Sequence, residues 1–204
     1  MDLKQRELEQ AQHIFFSNGT QYYIAGRFAA HTGLTPVAGN ILHHAIEQFL
    51  KGSLTKTKSL QKLKDLNHNF PKIWGAFKGQ ANDASLVRFD DMISKLDKFE
   101  RLRYPDSVVN KGALVNINIT KAAAADVAAM AKNADPQHNP ASSLPDYRFC
   151  LEEIDELVPL IFAATSLEPK GYFRMGFKPA AWEYLVKDNM VSAIVDAVPA
   201  FETA

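Results

Sequence analysis

Apolar residues recur with the helical period along most of this chain. They are separated by charged and polar residues, which is typical of amphipathic helices with one buried face. The pattern predicts helices over residues 3–17, 20–33, 35–54, 60–66, 69–77, 84–103, 120–132, 146–166, 179–187 and 191–197. We therefore expect a mainly α-helical protein, a helical bundle whose core comes from the first five helices and the helix at 146–166.

Turn and cap residues indicate where these helices begin and end. Asn18-Gly19 suits a helix stop, because both residue types tolerate the left-handed backbone. Thr35-Pro36, and Asn69 followed by Pro71, mark helix starts, where proline loses no helical hydrogen bond. Residues 108–119 contain β-branched residues with an alternating stretch, which predicts one or two short strands or an ordered loop.

The domain organisation follows from the lack of a separable linker or internal repeat in the sequence. We expect a single domain over residues 1–204. Residues 10–106 together with 146–166 are expected to form the helical core, and 107–145 and 167–204 to be elaborations of it. A hydrophobic content of 47% is sufficient for a packed interior.

Composition excludes several classes of protein. No apolar run is long enough to cross a bilayer, and the first residues lack the apolar centre of a signal peptide, so we expect a soluble cytoplasmic protein with no membrane partner. Cys150 is the only cysteine, which excludes a disulfide partner within the chain and a cysteine-rich zinc site. Its position on an apolar helix face predicts a core residue rather than a reactive thiolate.

The helix around residue 46 sets polar groups into an apolar surface. His44, Glu47 and Lys51 are three and four residues apart and therefore lie on one face. Histidine is suited to proton transfer near neutral pH. One hypothesis makes His44, Glu47 and His68 the acid–base groups of a hydrolase, with Arg103 stabilising charge. The alternative is a buried tether, because buried polar groups must be paired whatever their function.

Other chemistries are not favoured by the spacing of their usual ligands. His43, His44, Glu47 and His68 include no helical His-x3-His pair and no His-Glu-x-x-His element, so we expect no metal site. No Gly-x-Ser-x-Gly elbow and no glycine-rich phosphate loop is present. We expect no cofactor.

Positive charge is concentrated between residues 51 and 78, although the net charge of the chain is zero. Seven lysines lie there against Asp65 as the single acidic residue. Such a cluster binds phosphates or an acidic partner, unless it is simply a solvated surface. The residues expected to contact RNA, a nucleotide or an acidic partner are Lys51, Lys58, Lys62, Lys64, Lys72, Arg101 and Arg103. The aromatic residues of the same segment, Phe70, Trp74 and Phe77, have core-like helical spacing and are expected to be packed inside.

Four segments in this order resemble the HEPN family, a superfamily of helical bundles. They are the helix His43-His44-Ala45-Ile46-Glu47-x-x-Leu50-Lys51, the segment Leu66-Asn67-His68-Asn69-Phe70-x-x-Ile73-Trp74, the amphipathic helix that follows, and Arg103-Tyr104-Pro105-Asp106. The resemblance implies an up-and-down four- or five-helix core that commonly forms a homodimer. Many members are RNases or toxins, and others bind nucleotides or RNA or are non-catalytic scaffolds.

Within residues 10–106, which carry the resemblance, the sequence departs from the catalytic members of that family in one respect. Those members carry an arginine separated from a histidine by four to six residues, whereas in this range Arg27 and His31 have three residues between them and no histidine follows Arg88, Arg101 or Arg103 at the required distance. The resemblance therefore favours a non-catalytic or divergent member that binds RNA, a nucleotide or a protein. A divergent RNase or hydrolase and a purely structural module are the alternatives.

Overall fold

The computed structural model describes residues 3–104, 112–133, 146–174 and 177–198, which hold ten α-helices and two short strands. The helices are α1 (Leu3–His31), α2 (Thr35–Leu54), α3 (Leu60–Asp65), α4 (Phe70–Ala81), α5 (Asp90–Lys98), α6 (Lys121–Asn133), α7 (Leu151–Thr165), α8 (Pro169–Phe173), α9 (Pro179–Val186) and α10 (Ser192–Val195). The strands are β1 (Ile117–Asn118) and β2 (Phe149–Cys150), and 3₁₀ segments Ala84–Phe89 and Phe99–Arg103 flank α5. The protein is mainly α-helical, as predicted.

Helices α1 and α2 form a closely packed antiparallel hairpin. A Cβ atom at Gly19 would lie 2.7 Å from the Phe49 ring, and one at Gly26 would lie 2.6 Å from the Leu42 side chain. Glycine at these positions therefore lets the two backbones approach. Since α2 ends at Leu54, the N-terminal part of α1 extends beyond it.

The turn between these helices is built on Gly33. Its backbone is left-handed, with φ of 79°, which glycine adopts without steric cost. The Leu34 N–H donates to the Ala29 carbonyl at 2.9 Å, and the Gly33 N–H donates to the Ala30 carbonyl at 3.2 Å. This Schellman pattern closes α1 and satisfies its last carbonyls before α2 begins.

The predicted helix stop at Asn18-Gly19 is wrong, because α1 continues through both residues. Gly19 is buried against Phe49, and the neighbouring Phe16 and Tyr23 are fully buried on the same helix. The packing of a continuous helix against α2 therefore overrides the local tendency of Asn-Gly to terminate it.

The helix predicted over 146–166 begins later, at Leu151. The residues before it are extended, and β2 pairs in parallel with β1 so that Ile117 is opposite Phe149. The prediction of a short strand within 108–119 is confirmed by β1, while its first residues, 108–111, lie outside the described part of the chain.

The core confirms the predicted burial of the aromatic residues and of Cys150. Phe70, Trp74 and Phe77 are buried on α4. Burial raises the pKa of the Cys150 thiol to about 11, which keeps it protonated and unreactive. Among the described residues, no helix is both long enough and apolar enough to cross a membrane.

A buried ion pair joins the C-terminal helices to the hairpin. The Arg27 guanidinium on α1 donates to the Asp155 carboxylate on α7 and to the carbonyls of Tyr184 and Lys187 at the end of α9. Tyr23 donates its hydroxyl proton to the same carboxylate. Both charged side chains are buried, with exposed fractions of 0% and 1%.

Candidate functional site

The turn between α3 and α4 places His68 against α2. Asn67 has a left-handed backbone, with φ of 50°, which asparagine tolerates better than most residues. The Asn69 side chain accepts a hydrogen bond from the Lys72 N–H at 3.1 Å and so caps α4. The local sequence thus reverses the chain at Asn67 and restarts a helix at Phe70, with His68 held between them.

The carboxylate of Glu47 is the centre of the site. Its side chain is 2% exposed, and Lys51 Nζ donates to Oε1 at 2.6 Å. His68 Nδ1 lies 3.0 Å from Oε1 and 3.3 Å from Oε2. Because an ionised carboxylate only accepts hydrogen bonds, the Nδ1 atom carries the proton. In the neutral ring Nε2 is then the acceptor, on a side chain that is 66% exposed.

Two further histidines lie near the same carboxylate. His44 Nδ1 and His43 Nε2 are each 3.9 Å from Glu47 Oε2, which is ion-pair range rather than hydrogen-bond distance. His44 is partly exposed, whereas His43 is buried with its ring 4.4 Å from that of Phe70. We call Glu47, Lys51, His43, His44 and His68 the Glu47 cluster.

The Glu47 cluster keeps its carboxylate ionised. Burial on its own would raise the pKa of Glu47. His44 and Lys51 act against burial, followed by the charge of His68, and together they lower the pKa from 4.5 to about 2. The site therefore contains a fixed negative charge that orients an exposed imidazole, which is the arrangement of a general base and its orienting carboxylate.

The cluster does not have the geometry of a metal site. Within the described ranges, no group of three or more His, Cys, Asp or Glu side chains could hold a metal ion. The Lys51 ammonium, at 2.6 Å from Oε1, occupies the position where a cation would bind the carboxylate.

The seven lysines of residues 51–78 divide into two sets. Three are engaged within the protein, since Lys51 bonds to Glu47, Lys56 to the Ala164 carbonyl and Ser166, and Lys78 to Asp90. Lys51 is thus buried rather than available to a ligand. The remaining four lie at the surface, Lys58 being half-buried, and have no carboxylate partner in the described part of the chain; they are Lys58, Lys62, Lys64 and Lys72. We call these four the lysine surface.

An apolar cleft of about 260 Å³ opens where residues 11–18 of α1 meet the C-terminal half of α2 and α3. We call it the α1–α3 cleft. Its lining residues are Ala11, Ile14, Phe15, Asn18, Gln48, Lys51, Leu60, Leu63 and Lys64. Lys51 lines the cleft and also belongs to the Glu47 cluster. Lys64 lines the cleft and also belongs to the lysine surface.

The structure brings together four of the predicted site residues and leaves two undescribed. His44, Lys51 and His68 each lie within 4 Å of the Glu47 carboxylate. The side chains of Arg101 and Arg103 lie outside those that the structure describes. The α1–α3 cleft could not be predicted from the sequence, because its walls come from three separate helices with ordinary amphipathic patterns.

Comparison with known proteins finds no matching family model, no significantly similar curated protein and no significantly similar solved structure.

Proposed function

We propose that this protein binds single-stranded RNA through the lysine surface, as a non-catalytic or divergent HEPN-like protein. The observation that carries the proposal is that Lys58, Lys62, Lys64 and Lys72 have no carboxylate partner among the described residues, although the chain as a whole is neutral. Unpaired cations concentrated on one segment attract a polyanion, because each phosphate contact releases a condensed counterion.

The distribution of these cations favours an extended ligand over a single phosphate group. They lie before α3, on α3 and in the first turn of α4, with the exposed His68 between them in the sequence. A compact phosphate site usually relies on convergent backbone N–H groups of a glycine-rich loop, which this sequence lacks. A strand with several phosphates matches dispersed lysines better.

The test is fluorescence anisotropy of a short labelled single-stranded RNA over a range of salt concentrations. If each of the four lysines contacts one phosphate, log affinity should fall with log salt with a slope of about −3, at about 0.7 per contact on single strands. Replacing Lys58, Lys62 and Lys64 by Glu should reduce RNA affinity at least about tenfold. The slope should become shallower, with a magnitude of about 1 or below.

The control makes the same change in net charge elsewhere. Lys170, Lys178 and Lys187 are exposed and lie outside this region, so their replacement by Glu should leave most of the affinity intact. Equal losses in both triple variants would show that only overall charge matters. Absence of binding at low salt would refute the proposal and leave a protein-interaction role.

RNA cleavage is a second candidate function, favoured by the convergence of His44, Glu47 and His68. In this reaction His68 Nε2 accepts the proton of a ribose 2′-hydroxyl, and the 2′ oxygen bonds to the adjacent phosphorus as the P–O5′ bond breaks. His44 supplies a proton to the leaving 5′ oxygen. Glu47 holds the His68 ring through Nδ1, and Arg103 remains the hypothesised stabiliser of the phosphate charge.

Cleavage is measured with end-labelled RNA on a denaturing gel, with a 2′-deoxy strand as the substrate that cannot react. His68→Ala should lower the rate about a hundredfold or more, in line with loss of a general base. His13→Ala is measured beside it, because His13 is an exposed histidine on α1 that contacts Tyr172 rather than Glu47, and an equal loss there would place the chemistry away from the Glu47 cluster. If wild-type protein yields no product, this candidate fails while RNA binding still stands.

A further inference from the structure

The α1–α3 cleft joins an apolar interior to a cation at its edge. Leu63 is buried on one wall and Phe15 is half-buried on another, whereas Lys64 is exposed. A ligand that suits both parts combines an apolar ring with an anionic group. A nucleotide unit of RNA has this composition, since its base has apolar faces and its phosphate is charged.

The cleft supplies the base contacts that α4 does not. RNA-binding surfaces stack bases on accessible aromatic side chains. Phe70, Trp74 and Phe77 are buried and cannot serve in this way. Phe15 lines the same cleft as Lys64 and is partly accessible.

Two amide side chains border the same cleft. Asn18 is exposed and Gln48 is half-buried, and neither amide has a hydrogen-bond partner among the residues that the structure describes. An amide offers both a donor and an acceptor, which is what the hydrogen-bonding edge of a base requires. The cleft thus presents stacking, edge recognition and charge within one set of lining residues.

Resting on the proposed RNA binding, we propose that the α1–α3 cleft receives one unstacked base of the bound single strand. The base stacks on Phe15, its edge faces Asn18 and Gln48, and Lys64 contacts the adjoining phosphate. The volume of about 260 Å³ lies just below that of typical ligand pockets, so it suits one ring system rather than a whole nucleotide.

The occupied cleft also lies next to the Glu47 cluster. Lys51 lines the cleft with its side chain and donates to Glu47 with its ammonium group. A base held there is therefore separated from the Glu47 carboxylate by one side chain.

The experiment compares a short labelled RNA with a strand of equal length in which the ribose-phosphate units carry no bases. Because the abasic strand has no base to stack in the cleft, it should bind about ten- to a hundredfold more weakly than the RNA. Ala11→Phe fills the cleft without changing any charge and should lower RNA affinity to that of the abasic strand, with the abasic affinity unchanged. Ala163→Phe, on the exposed face of α7, is the matched control and should have no effect.

A second variant keeps the test independent of folding defects in Ala11→Phe. Gln48→Leu preserves the apolar walls and should reduce discrimination among RNA homopolymers while retaining the salt slope.

Equal affinity of wild-type protein for the base-containing and abasic strands would overturn the base site and leave the lysine surface as the binding element. Failure of both strands to bind would instead refute the proposed function. A change in oligomeric state of Ala11→Phe, with unaltered RNA binding, would assign the cleft to a second copy of the chain.

Discussion

Glu47 remains charged at a position where water reaches only 2% of its side chain. An isolated carboxylate would be neutralised there, because burial disfavours the charged form. The Lys51 ammonium and the His68 ring offset that cost by direct contact at 2.6 Å and 3.0 Å. The same contacts restrict His68, so one set of interactions both stabilises the fold and orients the exposed imidazole.

This pairing makes the contribution of Glu47 to stability depend on pH. Its pKa is about 2 in the folded protein and 4.5 ordinarily, so the folded state holds the proton less tightly than the unfolded state. The contribution is complete above about pH 4.5 and is lost as the pH falls toward about 2. Urea unfolding should therefore show wild-type protein more stable than Glu47→Gln at neutral pH, with a difference that shrinks by about 3 kcal/mol between about pH 5 and pH 2.

Asp91→Asn is the control for this titration. Asp91 is 79% exposed and pairs with Lys95 on the surface, so the variant should differ from wild type by no more than about 1 kcal/mol. A wild-type advantage over Glu47→Gln that stayed constant down to pH 2 would show that Glu47 is not held ionised by its neighbours.

At the scale of the helices, periodicity predicted most of the fold because most helices bury one face. It placed α2 well, and the buried set on α4, including Phe70, Trp74 and Phe77, has the predicted spacing. The single helix predicted over 84–103 is instead α5 with a 3₁₀ segment on either side, and α4 continues past 77 to Ala81. It was wrong at Asn18-Gly19, where a local stop signal competes with a long-range contact to Phe49 that only the assembled hairpin provides.

The site was predictable only as far as it lies on one helix. His44, Glu47 and Lys51 share a face of α2, which the spacing shows directly. The contact from His68, 21 residues away, depends on the left-handed turn at Asn67 and could be stated only as a hypothesis. The division of the lysines was not predictable, because the partners of Lys56 and Lys78 come from α7 and α5 and their surroundings.

At the scale of the whole molecule, the C-terminal helices depend on a contact that spans most of the chain. Arg27 Nε donates to the Tyr184 carbonyl at 2.7 Å across 157 positions of sequence. Arginine suits this role, since its five N–H donors can reach a carboxylate and several carbonyls at once. The homodimer that the HEPN resemblance implies stays a prediction.

Arg27→Met tests whether this contact holds the molecule together. The change keeps an apolar stem of similar length but leaves the buried Asp155 carboxylate without its cation and the carbonyls of Tyr184 and Lys187 without that donor. Removing one partner of a buried pair costs about 3–5 kcal/mol, and the free energy of unfolding should fall by that amount. Hydrogen exchange should show the amides of α9 losing protection before those of α4.

The double variant Arg27→Met, Asp155→Leu separates the cost of an orphaned charge from the value of the tie itself. If the orphaned carboxylate causes most of the loss, replacing it by leucine should restore a substantial part of the stability, as is often seen when a whole buried pair becomes apolar.

Arg88→Met is the surface control, because Arg88 is 57% exposed and lies 3.7 Å from Glu156, and it should cost about 1 kcal/mol at most. Arg27→Met costing no more than Arg88→Met would contradict the structural role of the buried pair. Recovery of stability without recovery of α9 protection would show that Arg27 is needed specifically to dock the C-terminal helices onto α1.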